Sequence, residues 1–140
     1  MAPPSGHPPP TTGLLGEGVE VPLVPLAQET CRRYQAEFPD ERERYGDAGT
    51  AWCVHDNQHL LFWGAGAVDG WVDMDREVSW LADVLAARGF PLDRLARNLD
   101  LAAEVVLEEV STELGRLWAG VLAAAATSVR LRLRAGHKPG

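Results

Sequence analysis

Thr50-Ala51-Trp52-Cys53-Val54-His55-Asp56-Asn57-Gln58-His59-Leu60-Leu61-Phe62-Trp63-Gly64-Ala65-Gly66-Ala67 is the stretch whose periodicity decides the fold. Trp52, His55, Asp56, His59, Phe62, Trp63 and Gly66 recur in steps of three and four, so a helix gathers them on one broad stripe. His55 and His59 lie one turn apart. Asp56, three residues before His59, is placed to accept its ring N–H. Val54, Leu61 and Ala65 fall elsewhere on the helix. Gly64 and Gly66 weaken its end by about 1 kcal/mol each relative to Ala, and let another backbone come close.

On the N-terminal side, Asp47 is an expected cap for this helix, which is read from Asp47 or Ala48 to Val68. Asp40 to Arg44 alternate in charge and read as a solvated helical turn. An earlier helix is expected from Pro25 to about Phe38, with Leu23, Leu26, Thr30, Tyr34 and Phe38 as its apolar line. Residues 1–22 are rich in Pro and Gly and are expected to form a disordered tail, ending in a short extended piece at Val19–Val24. The prolines of that tail also suit a ligand for a partner's groove.

On the C-terminal side, Asp73 is expected to cap a helix, with Met74, Val78, Leu81 and Leu85 inward and Trp80 and Val84 beside them. Gly89 stops it and Pro91 starts the next. Leu92, Leu95, Leu99, Ala102, Val106, Val110, Leu114, Leu117 and Val121 then keep one helical rhythm. A single helix from Pro91 to Arg134 would be about 65 Å long at 1.5 Å per residue, too long for a domain of this size. A break is expected between Val110 and Gly115. Nothing reads as a sheet. The fold class is therefore all-α, four to five helices, bundle-like or globin-like, with one domain over 23–134 and a flexible tail at 135–140.

The chain has 140 residues, 46% hydrophobic and 24% charged, which suits one globular domain. Its net charge of -7 argues against a nucleic-acid partner. The apolar run Leu117–Ala126 is too short to span a bilayer, and fits a core helix or a dimer seam. No charged n-region with an apolar h-region opens the chain, so the expected location is the cytoplasm. Cys31 and Cys53 are too few for a disulfide scaffold, and Cys53 is expected to be reduced and at least half buried.

The chemistry-bearing residues admit several readings. His55 and His59 could hold a metal, with Asp56 orienting one ring and Glu104, Glu108 or Glu109 completing the set. Trp52, Cys53, His55, Asp56, His59 and Trp63, facing Trp80, could form a pocket for haem, bilin or cobalamin. There a histidine would serve as axial ligand, or Cys53 as a thioether anchor. The alternative is that these aromatics are core and the histidines structural. Cys53 and His55, two apart, point away from each other, and no phosphate loop, dinucleotide fingerprint or nucleophile elbow is present, so enzyme is the least favoured class.

From Arg44 to Leu99 the chain resembles the helical module that precedes the cobalamin-binding domain in bacterial sensor proteins. The matching residues are Tyr45-Gly46, Cys53, Asp56, His59-Leu60, Trp80-Leu81, Val84-Leu85, Arg88-Gly89 and Pro91. The resemblance implies a helical bundle in a sensory or regulatory setting. It does not carry cobalamin across: the Asp-x-His-x-x-Gly signature is absent, as is the tryptophan followed by a Glu-His pair. The function expected from the sequence is a non-enzymatic regulatory domain, acting on a protein partner or as a homodimer, with tetrapyrrole or metal binding as the alternative.

Overall fold

The computed structural model describes residues 8–16 and 18–136. Five helices follow a two-stranded ribbon: α1 Leu23–Glu37, α2 Asp40–Val68, α3 Met74–Ala87, α4 Leu92–Glu109 and α5 Glu113–Gly136. The all-α reading holds. The parts of the expected tails at 1–7 and 137–140 lie outside the described residues.

The ribbon is the first departure. Strands β1 Thr12–Leu14 and β2 Glu20–Pro22 pair antiparallel, with Gly13 opposite Val21. Apolar contact explains the order here: Leu15 is 1% exposed, Val21 is buried, and Gly16 N–H donates to Asp69 Oδ1 at 2.9 Å. Gly16 takes φ +81, a left-handed conformation that glycine adopts at little cost.

Helix ends follow local chemistry. Asp73 Oδ1 accepts from Arg76 N at 3.2 Å, capping α3 as expected. Gly89 at φ +76 closes α3, with Phe90 N donating to Leu85 O at 2.9 Å and Gly89 N to Ala86 O at 3.0 Å. The break after α4 falls at residues 110–112, and Thr112 Oγ1 accepts from Gly115 N at 3.0 Å to start α5. Gly115 lies inside α5, where a side chain would strike the Val110 carbonyl. In α2, Gly46 leaves helical geometry at φ 60, ψ -150, so the turn from Asp40 joins the main helix through a kink.

The core is built mainly from α1, α2, α4 and α5. Leu60, Leu61 and Ala65 of α2 face Leu99, Val105 and Val106 of α4 and Trp118 and Leu122 of α5 within one cluster. Three expectations are corrected here. The aromatic stripe of α2 is not the core face: Trp52 and Trp63 are half-buried, and Trp80 of α3 is 42% exposed. The buried face of α5 is Trp118, Leu122, Ala125 and Val129, while Leu117 is 54% exposed. The break at 110–112 resets the helical phase, so the rhythm of α4 does not extend into α5. Glu41, read as solvated, is buried. No helix among the described residues is long and apolar enough to cross a membrane.

Candidate functional site

A cavity of about 320 Å³ lies where α1, α2, α3 and α4 meet. Its apolar wall comes from Leu60 on α2, Leu81 and Leu85 on α3, Phe90 in the turn, and Leu95 on α4. Trp52 and Tyr45 flank it. Tyr34, Gln35, Glu41, Asp56, Asn57, Arg88, Arg94 and Asn98 also line it, but most of the exposed wall is apolar, as in small-molecule sites that fix a ligand with a limited set of polar groups.

Those polar groups form ordered sets. Tyr34 Oη donates to the Glu41 carboxylate, and burial together with this neighbour pushes the phenol well above its ordinary range. Arg94 holds Asp40 through Nη1 at 2.9 Å and Nη2 at 3.2 Å, and stacks on Phe38 at 4.5 Å. Its guanidinium holds the Asp40 carboxyl below the usual range. Asn57 and Asn98 exchange bonds, with Asn57 Nδ2 donating to Asn98 Oδ1 at 3.0 Å and Asn98 Nδ2 to Asn57 Oδ1 at 2.8 Å. Asp56 also lines the cavity, its side chain 22% exposed. Burial pushes its carboxyl up to about 6, against the opposing influence of His55 and the Arg88 charge.

Cys53 lines the cavity, and its sulfur is bonded to that of Cys31 on α1. This corrects the expectation of a reduced Cys53: helix pairing brings the two Cα atoms to 5.9 Å, within disulfide reach. A bonded sulfur offers no thiolate for a bilin thioether. Asn57 Nδ2 lies 3.3 Å from Cys31 Sγ, so the amide pair backs directly onto the disulfide.

Of the seven residues expected to share one pocket, six divide between two. Trp52, Cys53 and Asp56 face the cavity. His59, Trp63 and Trp80 line a separate recess with Phe62, Arg76, Glu77, Pro8 and Pro10. His55 lines neither; its Nδ1 sits 3.3 Å from Asp56 Oδ1, and its ring is 4.8 Å from that of His59. Asp56 therefore contacts the neighbouring ring of His55. Among the described residues no three of His, Cys, Asp and Glu are grouped to hold a metal ion. Glu108, named above as a further ligand, pairs with Arg33.

Tyr34, Glu41, Arg88, Arg94, Asn57 and Asn98 escaped the sequence reading. A signal was available for one of them: Asn98 interrupts the apolar rhythm of Leu95, Leu99 and Ala102, and a polar residue beside a core face needs a partner. The partner itself is fixed only by the crossing of α2 and α4. Comparison of the chain with protein-family models, with curated proteins and with solved structures returns no match.

Proposed function

We propose that this chain is a regulatory helical domain that binds a small, mostly apolar molecule in the cavity between α1, α2, α3 and α4. The observation that carries this reading is the cavity itself: about 320 Å³, with a mostly apolar wall of leucines and aromatics, and with Asp56, Arg88 and Arg94 among the polar side chains that line it. Pockets of this size and composition bind small organic molecules. Neither His55 nor His59 reaches its wall, so the geometry favours a ligand smaller than a tetrapyrrole, without an axial imidazole. The sensory setting rests on the resemblance of residues 44–99.

Ligand-induced thermal stabilisation tests the reading, with the hydrophobic fluorophore anilinonaphthalene sulfonate as first probe. Leu85→Trp fills the cavity from α3. Probe binding by the parent chain and its loss in Leu85→Trp, at unchanged helical content, are expected. Equal binding by both proteins would sink the proposal.

A second reading, self-association, is favoured by α5. Leu117 and Leu131 are 54% and 56% exposed, and Gly120 and Ala124 face outward between them at near-heptad spacing. Sedimentation equilibrium of the parent chain and of Leu117→Glu would decide. A dimer lost in the variant is expected; a monomer in both removes this reading.

A further inference from the structure

Of the prolines of residues 8–10, Pro8 is exposed and Pro9 and Pro10 are half-buried. Pro8 and Pro10 form one side of a recess of about 580 Å³, whose other side is His59, Phe62 and Trp63 of α2 and Trp80 of α3. Gln58, 6% exposed, donates its Nε2 hydrogen to the Pro10 carbonyl oxygen at 3.0 Å. The recess is only partly filled: Trp80 keeps 42% of its surface exposed.

This combination is the chemistry by which proline-rich segments are recognised. A proline lacks an N–H, so its ring packs on flat aromatic faces while its carbonyl accepts from a side-chain donor. A proline-rich chain is also stiff before it binds, so docking it loses little conformational entropy. Aromatic rings, a buried amide donor and a seated proline segment all occur here in one place.

We propose that the Gln58, His59, Trp63 and Trp80 face is a docking groove for proline-rich peptide, held in this state by the chain's own Pro8–Pro10. The external occupant is a proline-rich segment of a partner protein, which must displace the chain's own. Tethering sets the effective concentration of the internal segment at about millimolar, so an external peptide binds the parent chain poorly. Removing the internal prolines exposes the groove.

The test uses the full chain with Pro8, Pro9 and Pro10 all changed to Ser, and a fluorescent peptide with the sequence of residues 1–10. Anisotropy should show the peptide binding this variant about ten-fold tighter than the parent chain. Adding Trp80→Ala, a change at an exposed site that leaves the core intact, should abolish binding, and Gln58→Ala should weaken it. A peptide with serine at every proline should not bind. Equal affinity for parent and triple variant, no binding by the triple variant, or equal binding of the all-serine peptide would each overturn the proposal. A parent dimer that the proline substitutions dissolve would overturn the intramolecular seating, because the segment would then be exchanged between copies.

Discussion

The indole N–H of Trp118 donates to the carbonyl oxygen of Leu61 at 3.0 Å, tying α5 to the middle of α2. Trp118 is fully buried, and Gly64 makes room for it: a Cβ at position 64 would lie 3.0 Å from Trp118 Nε1 and 3.3 Å from Leu122 Cδ2. Gly64→Ala should therefore destabilise the protein by about 1–2 kcal/mol, crowding outweighing the better helix propensity. In a Trp118→Leu background the same change should become neutral or stabilising. Urea unfolding of the four proteins checks this; no interaction between the two sites would refute it.

The disulfide closes a loop with a sequence separation of 22 residues. Chain-entropy reasoning puts its contribution at about 3 kcal/mol. Cys53→Ser should lower the melting temperature accordingly, and dithiothreitol should have no further effect on the variant. Helical content should survive, because α1 buries Leu23, Leu26, Ala27 and Tyr34 independently of the sulfur bond. Circular dichroism with thiol titration measures both.

Asp56 makes stability depend on pH in an unusual sense. Its carboxyl titrates at about 6 in the folded chain, against about 3.9 when unfolded. Between these values the folded state binds more protons, so Asp56's contribution falls as pH rises. It is most favourable below pH 4, and about 3 kcal/mol is lost by pH 7. Glu29 acts oppositely: Arg32 and Arg33 hold it at about 2, so its stabilisation is present above pH 5 and lost toward pH 2. Comparing the parent chain with Asp56→Asn at pH 4, 5, 6 and 7.5 isolates the first effect. Asp56→Asn should be the more stable at pH 7.5, and the difference should vanish or reverse at pH 4.

Tyr34→Phe should cost about 1–3 kcal/mol, because Glu41 is 7% exposed and loses the hydroxyl that its carboxylate accepts from. Glu41→Gln keeps an acceptor for the hydroxyl and should cost less. Chemical denaturation of both variants gives the comparison.

Helix positions were legible in the sequence because their signals are local. Asp73 caps, Gly89 stops, and the apolar rhythm from Leu92 to Val106 need only the neighbouring turn to act. The same is true of the break near Val110. What lay beyond reach was which face each helix buries when several faces are apolar. In α2 the conspicuous aromatics lost to Leu60, Leu61, Gly64 and Ala65, because small residues let α5 approach closely enough to seat Trp118.

The candidate site followed the same division. Helical spacing put Trp52 and Asp56 on one stripe, and Cys53 was singled out for its thiol chemistry beside His55. Tyr34, Glu41 and Arg94 come from three different helices and meet through long-range packing. The sequence by itself determined an all-α fold, both ends of α3, the break before α5 and a chemically dense α2, since spacing, capping and turn chemistry act within a few residues. The start of α2, expected at Asp47 or Ala48, lies at Asp40 because the turn before Gly46 continues into the helix through a kink. Tertiary structure alone decided that Cys31 bonds Cys53, that Asn57 pairs with Asn98, and that Pro10 lies on Gln58. Each of those contacts depends on how whole helices or segments cross, and that geometry is set by the summed packing of the core rather than by any residue's neighbours in the chain.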